Sequence, residues 1–244
     1  MRLMIWNVWG GNRPGVVDAV RVLEPDVAAL VDCKSRHVAR LTTEAAASGY
    51  AHHVDSSTAY TGILLLSRWK LVAGDNQPSP IPHRWLHAVI PDLDLEIAAV
   101  YGPLPKAVGS EPSMREFWNW VVPTCDRLIE RRAVVCGDFN TGVSRIDGPS
   151  DYRFNAAGQL SELVSRSWRD AYRELHPDGR EVSWWRGKRG FRIDHCLLSK
   201  PMPAPLSVSY VAEHDGIHLA QTPSDAGQVS AAPSDHAALI VDWP

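Results

Sequence analysis

Two β-sheets packed face to face, with helices on their outer sides as a four-layer α/β sandwich, is the fold class this sequence predicts. Short apolar runs of strand character recur along the whole chain. Several follow one another directly, notably 86–91 and 95–101 across Pro91-Asp92-Leu93-Asp94, which reads as a hairpin rather than strict βαβ alternation. At 244 residues, 45% of them hydrophobic, the chain is long enough for one large domain over residues 1–244 with a well-buried core.

Taken in order, strands are expected at 2–8, 26–31, 62–67, 86–91, 95–101, 133–137, 193–199, 207–212 and 237–242, each an apolar or alternating run bounded by turn residues. Helices are expected at 14–23, 34–48, 113–131 and 157–165. The third has the clearest start, because Ser113 and Glu116 have capping-box spacing, and Pro123 should kink or end it. The stretches 74–84, with Pro78, Pro80 and Pro82, and 214–233, rich in Asp, Ser, Gly and Pro, read as irregular segments that could frame a substrate groove.

Composition narrows the function. A formal net charge of −3 argues against coating nucleic acid by charge alone, so any such contact must be local. Cys33, Cys125, Cys136 and Cys196 are widely separated and give neither a disulfide framework nor a zinc spacing. Met1 leads directly into the strand-like Leu3-Met4-Ile5-Trp6, and no run approaches about 18 apolar residues. A soluble, cytoplasmic protein that does not act at a membrane is the expectation.

Four polar clusters end apolar runs and so could project over a common pocket: Trp6-Asn7, Gly137-Asp138-Phe139-Asn140, Arg192-Ile193-Asp194-His195 and Ser234-Asp235-His236. After the buried-strand pattern of Arg132–Cys136, Gly137 permits a tight approach, and Asp138 and Asn140 emerge together. A carboxylate there can polarise water while the amide donates to a phosphoryl oxygen; the competing reading is an Asx-turn that only caps the loop. Asp235 could bind a hard cation, and His236 could act as general base or steady a pentacovalent phosphate. Asp194 could orient and charge-balance His236, or simply pair with Arg192. His195 should face the other way and be structural. Histidines 52, 53, 83, 87, 214 and 218 show no complete metal-ligand spacing.

On these residues the chain resembles the endonuclease/exonuclease/phosphatase superfamily, and within it the exonuclease III and abasic-site endonuclease branch. The resemblance runs in order through Trp6-Asn7, Pro25–Leu30, Gly62–Arg68, Val100-Tyr101, Gly137–Asn140, Asp170–Pro177, Ser183-Trp184-Trp185, Arg192-Ile193-Asp194 and Ser234-Asp235-His236. It implies a deoxyribonuclease I-like fold and a divalent metal, usually Mg²⁺ with Mn²⁺ as the alternative, placed by Asn7, Asp32 and Asp235. It further implies that Asp138 positions or activates the attacking water, that Asn140 holds the phosphate, and that Asp194 and His236 form the pair beside it. Tyr101 would donate to the scissile phosphate or the departing oxyanion. The implied activity is hydrolysis of DNA at abasic sites or 3′ ends, with DNA favoured over RNA and a monomer as the working unit.

Two departures from the family stand out. Asp32 occupies the place of the usual glutamate, so the carboxylate is one methylene shorter, and Mg²⁺ is demanding of octahedral geometry at roughly 2.0–2.1 Å. The segment Arg186-Gly187-Lys188-Arg189-Gly190-Phe191 is short. In the family this region borders the pocket for a base-free sugar, a role that falls here to Trp184, Trp185 and Phe191. Arg186, Lys188, Arg189 and Arg192, with Arg180 nearby, suit phosphate contacts beside those aromatics, with snorkelling over core rings as the other reading. Arg13 and Lys34 could extend the positive rim. Two alternatives remain at this level: the same machinery acting on a small phosphoester, and a catalytically weakened nucleic-acid binding protein.

Overall fold

The computed structural model describes residues 1–57, 60–75, 78–104, 113–223 and 232–244. In chain order the elements are β1 (Arg2–Gly10), α1 (Val16–Leu23), β2 (Val27–Cys33), α2 (Ser35–Ala47), β3 (His52–Asp55), β4 (Gly62–Ser67), β5 (Val72–Ala73), β6 (Trp85–Ile90) and β7 (Leu95–Tyr101). They continue with α3 (Met114–Cys125), β8 (Ala133–Asp138), α4 (Ala157–Ser165), β9 (Arg169–Asp170), α5 (Ala171–Leu175), β10 (Trp184–Arg186) and β11 (Arg189–Phe191). Last come β12 (Asp194–Leu198), β13 (Ser207–Val211), β14 (Glu213–His214), β15 (Ile217–His218) and β16 (Ala238–Asp242).

One six-stranded sheet runs β13-β16-β1-β2-β4-β3 and the other β5-β6-β7-β8-β12-β9. Both are mixed: β1 lies parallel to β2 and β7 parallel to β8, while β16 and β12 run antiparallel to their neighbours. Strand alternation explains why both faces of each sheet are apolar. Leu3 and Ile5 of β1 point into the layer between the sheets, where they join Leu86, Ile97 and Val134 of the second sheet. Met4, Trp6 and Val8 point the other way, onto α1 and α2. Ala98 and Val100 of β7 likewise cover α3 and α4. The expected four-layer sandwich is therefore present, helix–sheet–sheet–helix.

The expected hairpin 86–91/95–101 is the antiparallel pair β6–β7. Ser113 and Glu116 form the reciprocal capping box, yet the helix stops at Cys125 rather than 131. Beyond it the chain closes with three-residue turns, Leu128 N–H to Cys125 O and Arg131 N–H to Leu128 O, as expected shortly after a proline that cannot donate. Within the stretch 214–233 the small β14–β15 hairpin forms, and residues 224–231 lie outside the described residues, as do 76–77 of the stretch 74–84. All four cysteines are free and buried. Among the described residues, no helix is long and apolar enough to cross a membrane.

Candidate active site

Topology brings the polar clusters to one end of the sandwich. Asn7 and Asp32 lie toward the C-terminal ends of the parallel pair β1 and β2, and His236 just precedes β16, which runs antiparallel to β1. From the second sheet, Tyr101 and Asp138 end the parallel strands β7 and β8 as a directly paired register, and Asp194 starts β12 opposite Asp138. Each sheet thus offers its strand ends to the same place.

Gly137 permits this meeting. Its φ is +140°, and a Cβ there would fall 1.9 Å from the carbonyl oxygen of Val100 on β7, a distance no side chain tolerates. Beyond it Asp138, 1% exposed, accepts from Asn7 Nδ2 at 2.9 Å and from the Asn140 backbone N–H at 2.8 Å. The second bond is an Asx-turn, so the capping interpretation describes part of the geometry. It does not describe the rest: Asn140 Nδ2 also donates to Gly102 O at 2.8 Å, and Asp138 faces the Asp194 carboxylate. Burial, then the charge of Asp194, pushes the Asp138 carboxyl well above its ordinary range, which suits a proton acceptor near neutral pH.

His236 Nδ1 donates to Asp194 Oδ2 at 2.8 Å, so Asp194 pairs with the imidazole and not with Arg192. Burial alone would lower His236; the Asp194 carboxylate and its hydrogen bond outweigh that and push the ring up to about 9. Ser183 Oγ accepts from the backbone N–H groups of Ile193 and Asp194, and Ser234 Oγ accepts from that of His236, which fixes both members of the pair. Tyr210 adds a 2.7 Å hydrogen bond from its hydroxyl to Asp194 O. Tyr101 stands beside this group with the Arg84 guanidinium 4.4 Å over its ring, and burial with the charges of Asp32 and Asp138 keeps its phenol protonated.

Asp32 sits in a β-bulge, where the β2–β4 register shifts between Val31 and Cys33, and has φ 53°. The bulge re-aims its side chain toward the strand ends. Thr61 Oγ1 donates to Asp32 Oδ1 at 2.7 Å, and burial raises the carboxyl. Asp235 Oδ2 accepts from the Trp184 indole at 2.9 Å. The donor set of Asn7, Asp32 and Asp235 is all oxygen, the chemistry a hard divalent cation selects. A tighter trio, Asp138, Asp194 and His236, could place ligand atoms within 4.8 Å of one another. There, however, the His236–Asp194 hydrogen bond already occupies one donor pair, and only Asp194 Oδ1 is buried without a partner.

The basic residues of the 180–192 region separate into different roles. Arg192 is fully buried and grips Asp147 with Nε at 2.8 Å and Asp170 with Nη2 at 2.7 Å, over the Tyr172 ring. Burial would raise both carboxyls, but Arg192 holds them below their usual range. This corrects the expectation that Arg192 contacts substrate: it is a structural cation. Arg180 donates to the carbonyls of Arg145 and Ile146, and Arg189 pairs with exposed Asp151 at 2.7 Å. Arg186 and Lys188 remain exposed on the β10–β11 hairpin. Phe191 is also corrected, since it packs at 4% exposure against Phe154 and Tyr152 instead of lining the surface. Trp184 and Trp185 do line a cavity, joined by Trp9. His195 is buried with Nε2 on Thr141 O at 2.9 Å and faces away from the site. Sequence reasoning passed over Thr61 and Arg84, whose partners Asp32 and Tyr101 lie far along the chain, and Trp9, whose place depends on its backbone turn.

The model of the Endonuclease/Exonuclease/phosphatase family matches residues 4–236 of this chain. No curated protein matches it at the sequence level. Among solved structures, the chain is similar to a 3′ phosphatase, NExo, from Neisseria bound to product DNA hairpin, at 21% identity and TM-score 0.75 over 100% of this chain and 99% of that one. It is similar as well to the 3′-5′ exonuclease NExo from Neisseria meningitidis, with 22% identity, TM-score 0.74 and full coverage of both chains. An AP endonuclease from Archaeoglobus fulgidus gives TM-score 0.76 at 17% identity, covering 100% of this chain and 99% of that chain. At these identities the likeness is one of fold, the deoxyribonuclease I-like sandwich.

Proposed function

The chain belongs to the endonuclease/exonuclease/phosphatase family, and on that premise we propose that it is a divalent-metal-dependent phosphodiesterase cleaving DNA at abasic sites or 3′ ends. The observation that carries the reading is the constellation of Asp138, held by Asn7 and Asn140, beside the 2.8 Å His236–Asp194 pair. It supplies a proton acceptor and a protonated donor on two sides of one small space.

Asp138 takes a proton from the attacking water as its oxygen bonds to phosphorus. The bond from phosphorus to the O3′ of the neighbouring nucleotide breaks, leaving a 3′-hydroxyl and a 5′-phosphate. Asn140 and the imidazolium of His236 hold the non-bridging oxygens, and Tyr101 donates toward the departing oxygen. Asp194 keeps His236 charged and oriented. A cation bound by Asn7, Asp32 and Asp235, which we propose to be Mg²⁺ with Mn²⁺ as substitute, would offset charge developing on the leaving oxygen. Both sheets contribute residues, which supports treating 1–244 as one catalytic domain. The four buried free thiols support a reducing, cytoplasmic setting. A monomer working in DNA repair is the simplest form of this proposal.

The test is incision of an end-labelled duplex carrying one abasic analogue, with Mg²⁺ or Mn²⁺ and an Asp138→Ala control. Cleavage lost in the control supports the reading. A duplex neither incised at the abasic site nor shortened from its 3′ ends under both metals sinks it and turns attention to small phosphoesters.

A further inference from the structure

Beside the reaction centre lies a cavity of about 350 Å³ lined by Trp9, Trp184, Trp185, Lys188, Pro223 and Asp235, among others. We propose that it receives the unpaired nucleobase of the nucleotide being cleaved, so that the preferred substrate is a single-stranded or frayed 3′ end that still carries its base. The proposal rests on the DNA phosphodiesterase reading of the same site.

Position is the first support. Asp235 lines the cavity and immediately precedes His236, while the Trp184 ring centre is 6.2 Å from that of His236. A group in the cavity is thus within one nucleotide of the phosphate under attack. Chemistry is the second. Three tryptophans line the cavity, a side chain that stacks on any base whatever its sequence, and the volume sits at the small end of the roughly 300–1,000 Å³ range of ligand sites, suited to one ring system with its sugar.

Trp9 provides the third support. It has φ 45°, a conformation bulky residues rarely adopt, and its N–H is held by Asn7 Oδ1 at 2.9 Å. The ring is 42% exposed, with the Arg13 guanidinium 4.2 Å over it. No core demands that arrangement; it holds an aromatic plane at the cavity wall. Charge agrees, since Arg13, Lys188 and Arg186 add cations where a strand backbone would pass. Phe191, meanwhile, is withdrawn into the cluster with Phe154 and Ile193, so the wall implied for a base-free sugar is incomplete.

The experiment uses two short single-stranded DNAs, one ending in a 3′-terminal 2-aminopurine nucleotide and one in an abasic analogue. Binding is read on the Asp138→Asn protein and cleavage on the wild type. Expected are quenching of the 2-aminopurine on binding and a Kd about 10-fold tighter than for the abasic strand. Adding Trp185→Ala should remove the quench and cost the base-bearing strand about 10-fold more than the abasic one, and Trp185→Phe should restore both. Melting curves of the variants exclude misfolding. A bound strand without quenching, or equal losses on both strands, overturns the cavity assignment even if both DNAs are cleaved. If neither DNA is cleaved while the quench and its Trp185 dependence persist, the base-binding cavity stands and the phosphodiesterase reading fails.

Discussion

Replacing Arg192 with methionine separates a structural cation from a substrate-binding one. The guanidinium is 1% exposed at its side chain, against Asp147 at 0% and Asp170 at 9%. Its removal leaves two carboxylates in a dry layer, with Arg173 still paired to Asp147 and the His195 ring 3.6 Å from Asp170. Breaking a buried pair by deleting one partner costs about 3–5 kcal/mol. In a chain of this length each kcal/mol lowers Tm by about 2–4 °C, so a fall of about 6–20 °C is expected at pH 7. The pH dependence has a definite sign. In the parent protein Asp147 and Asp170 are held below their unfolded value of about 3.9. The stability they contribute is therefore present above that value and lost as pH falls through the folded ones. In the variant the same carboxyls lack Arg192 and shift upward, so protonation relieves them and the Tm gap narrows from pH 7 to pH 4. Scanning calorimetry at the two pH values, with KM for DNA on the folded variant, decides the matter. An unchanged Tm together with a raised KM would show that the guanidinium reaches substrate, against the reasoning here.

Four further outcomes are expected. Asp194→Asn should lower kcat by about 10²–10⁴ by depriving His236 of its counter-charge, and a loss below tenfold in single-turnover kinetics would remove the pair from the chemistry. Tyr101→Phe should cost about 10²–10³ in kcat if the phenol donates in the transition state; an effect on KM alone would assign it to ground-state binding. Thr61→Val, which frees Asp32 Oδ1, should weaken Mn²⁺ binding by about 10–100-fold in an electron paramagnetic resonance titration, whereas unaltered affinity would place the ion elsewhere. Asp32→Glu should tighten the same titration, and a looser site would mean that the bulge at Asp32 is matched to the shorter side chain.

The sheets were legible because their strands are buried on both faces, so β1, β2, β4 and β8 stand out as apolar runs. The two-residue strands β5 and β9 escaped because so short a run carries no period. The hairpin β10–β11 was hidden by its arginines and glycines, which read as loop. Asp138, Asp194 and His236 stood out in the sequence because each borders such a run. Arg192 was misjudged because its partners lie 45 and 22 residues away, and no local pattern reports a bond of that span. Thr61 was invisible for the same reason, being 29 residues from Asp32. Trp9, just past the strand expected at 2–8, counted as one more core tryptophan, since its left-handed backbone leaves no mark in the residue type.

The two bonds at the heart of the site, Asn7 to Asp138 at 2.9 Å and His236 to Asp194 at 2.8 Å, each join one sheet to the other. Reactivity is therefore a gauge of how the two sheets are spaced. Hydrogen bonds weaken within tenths of an ångström, whereas the apolar layer between the sheets resists extra volume by shifting its walls. A methylene added at Ala99 or Ala29, deep in that layer, would wedge the sheets apart and loosen both bonds together. On the proposed mechanism, a half-assembled molecule with one sheet formed would carry half of each bond and none of the chemistry, confining hydrolysis to the fully docked state.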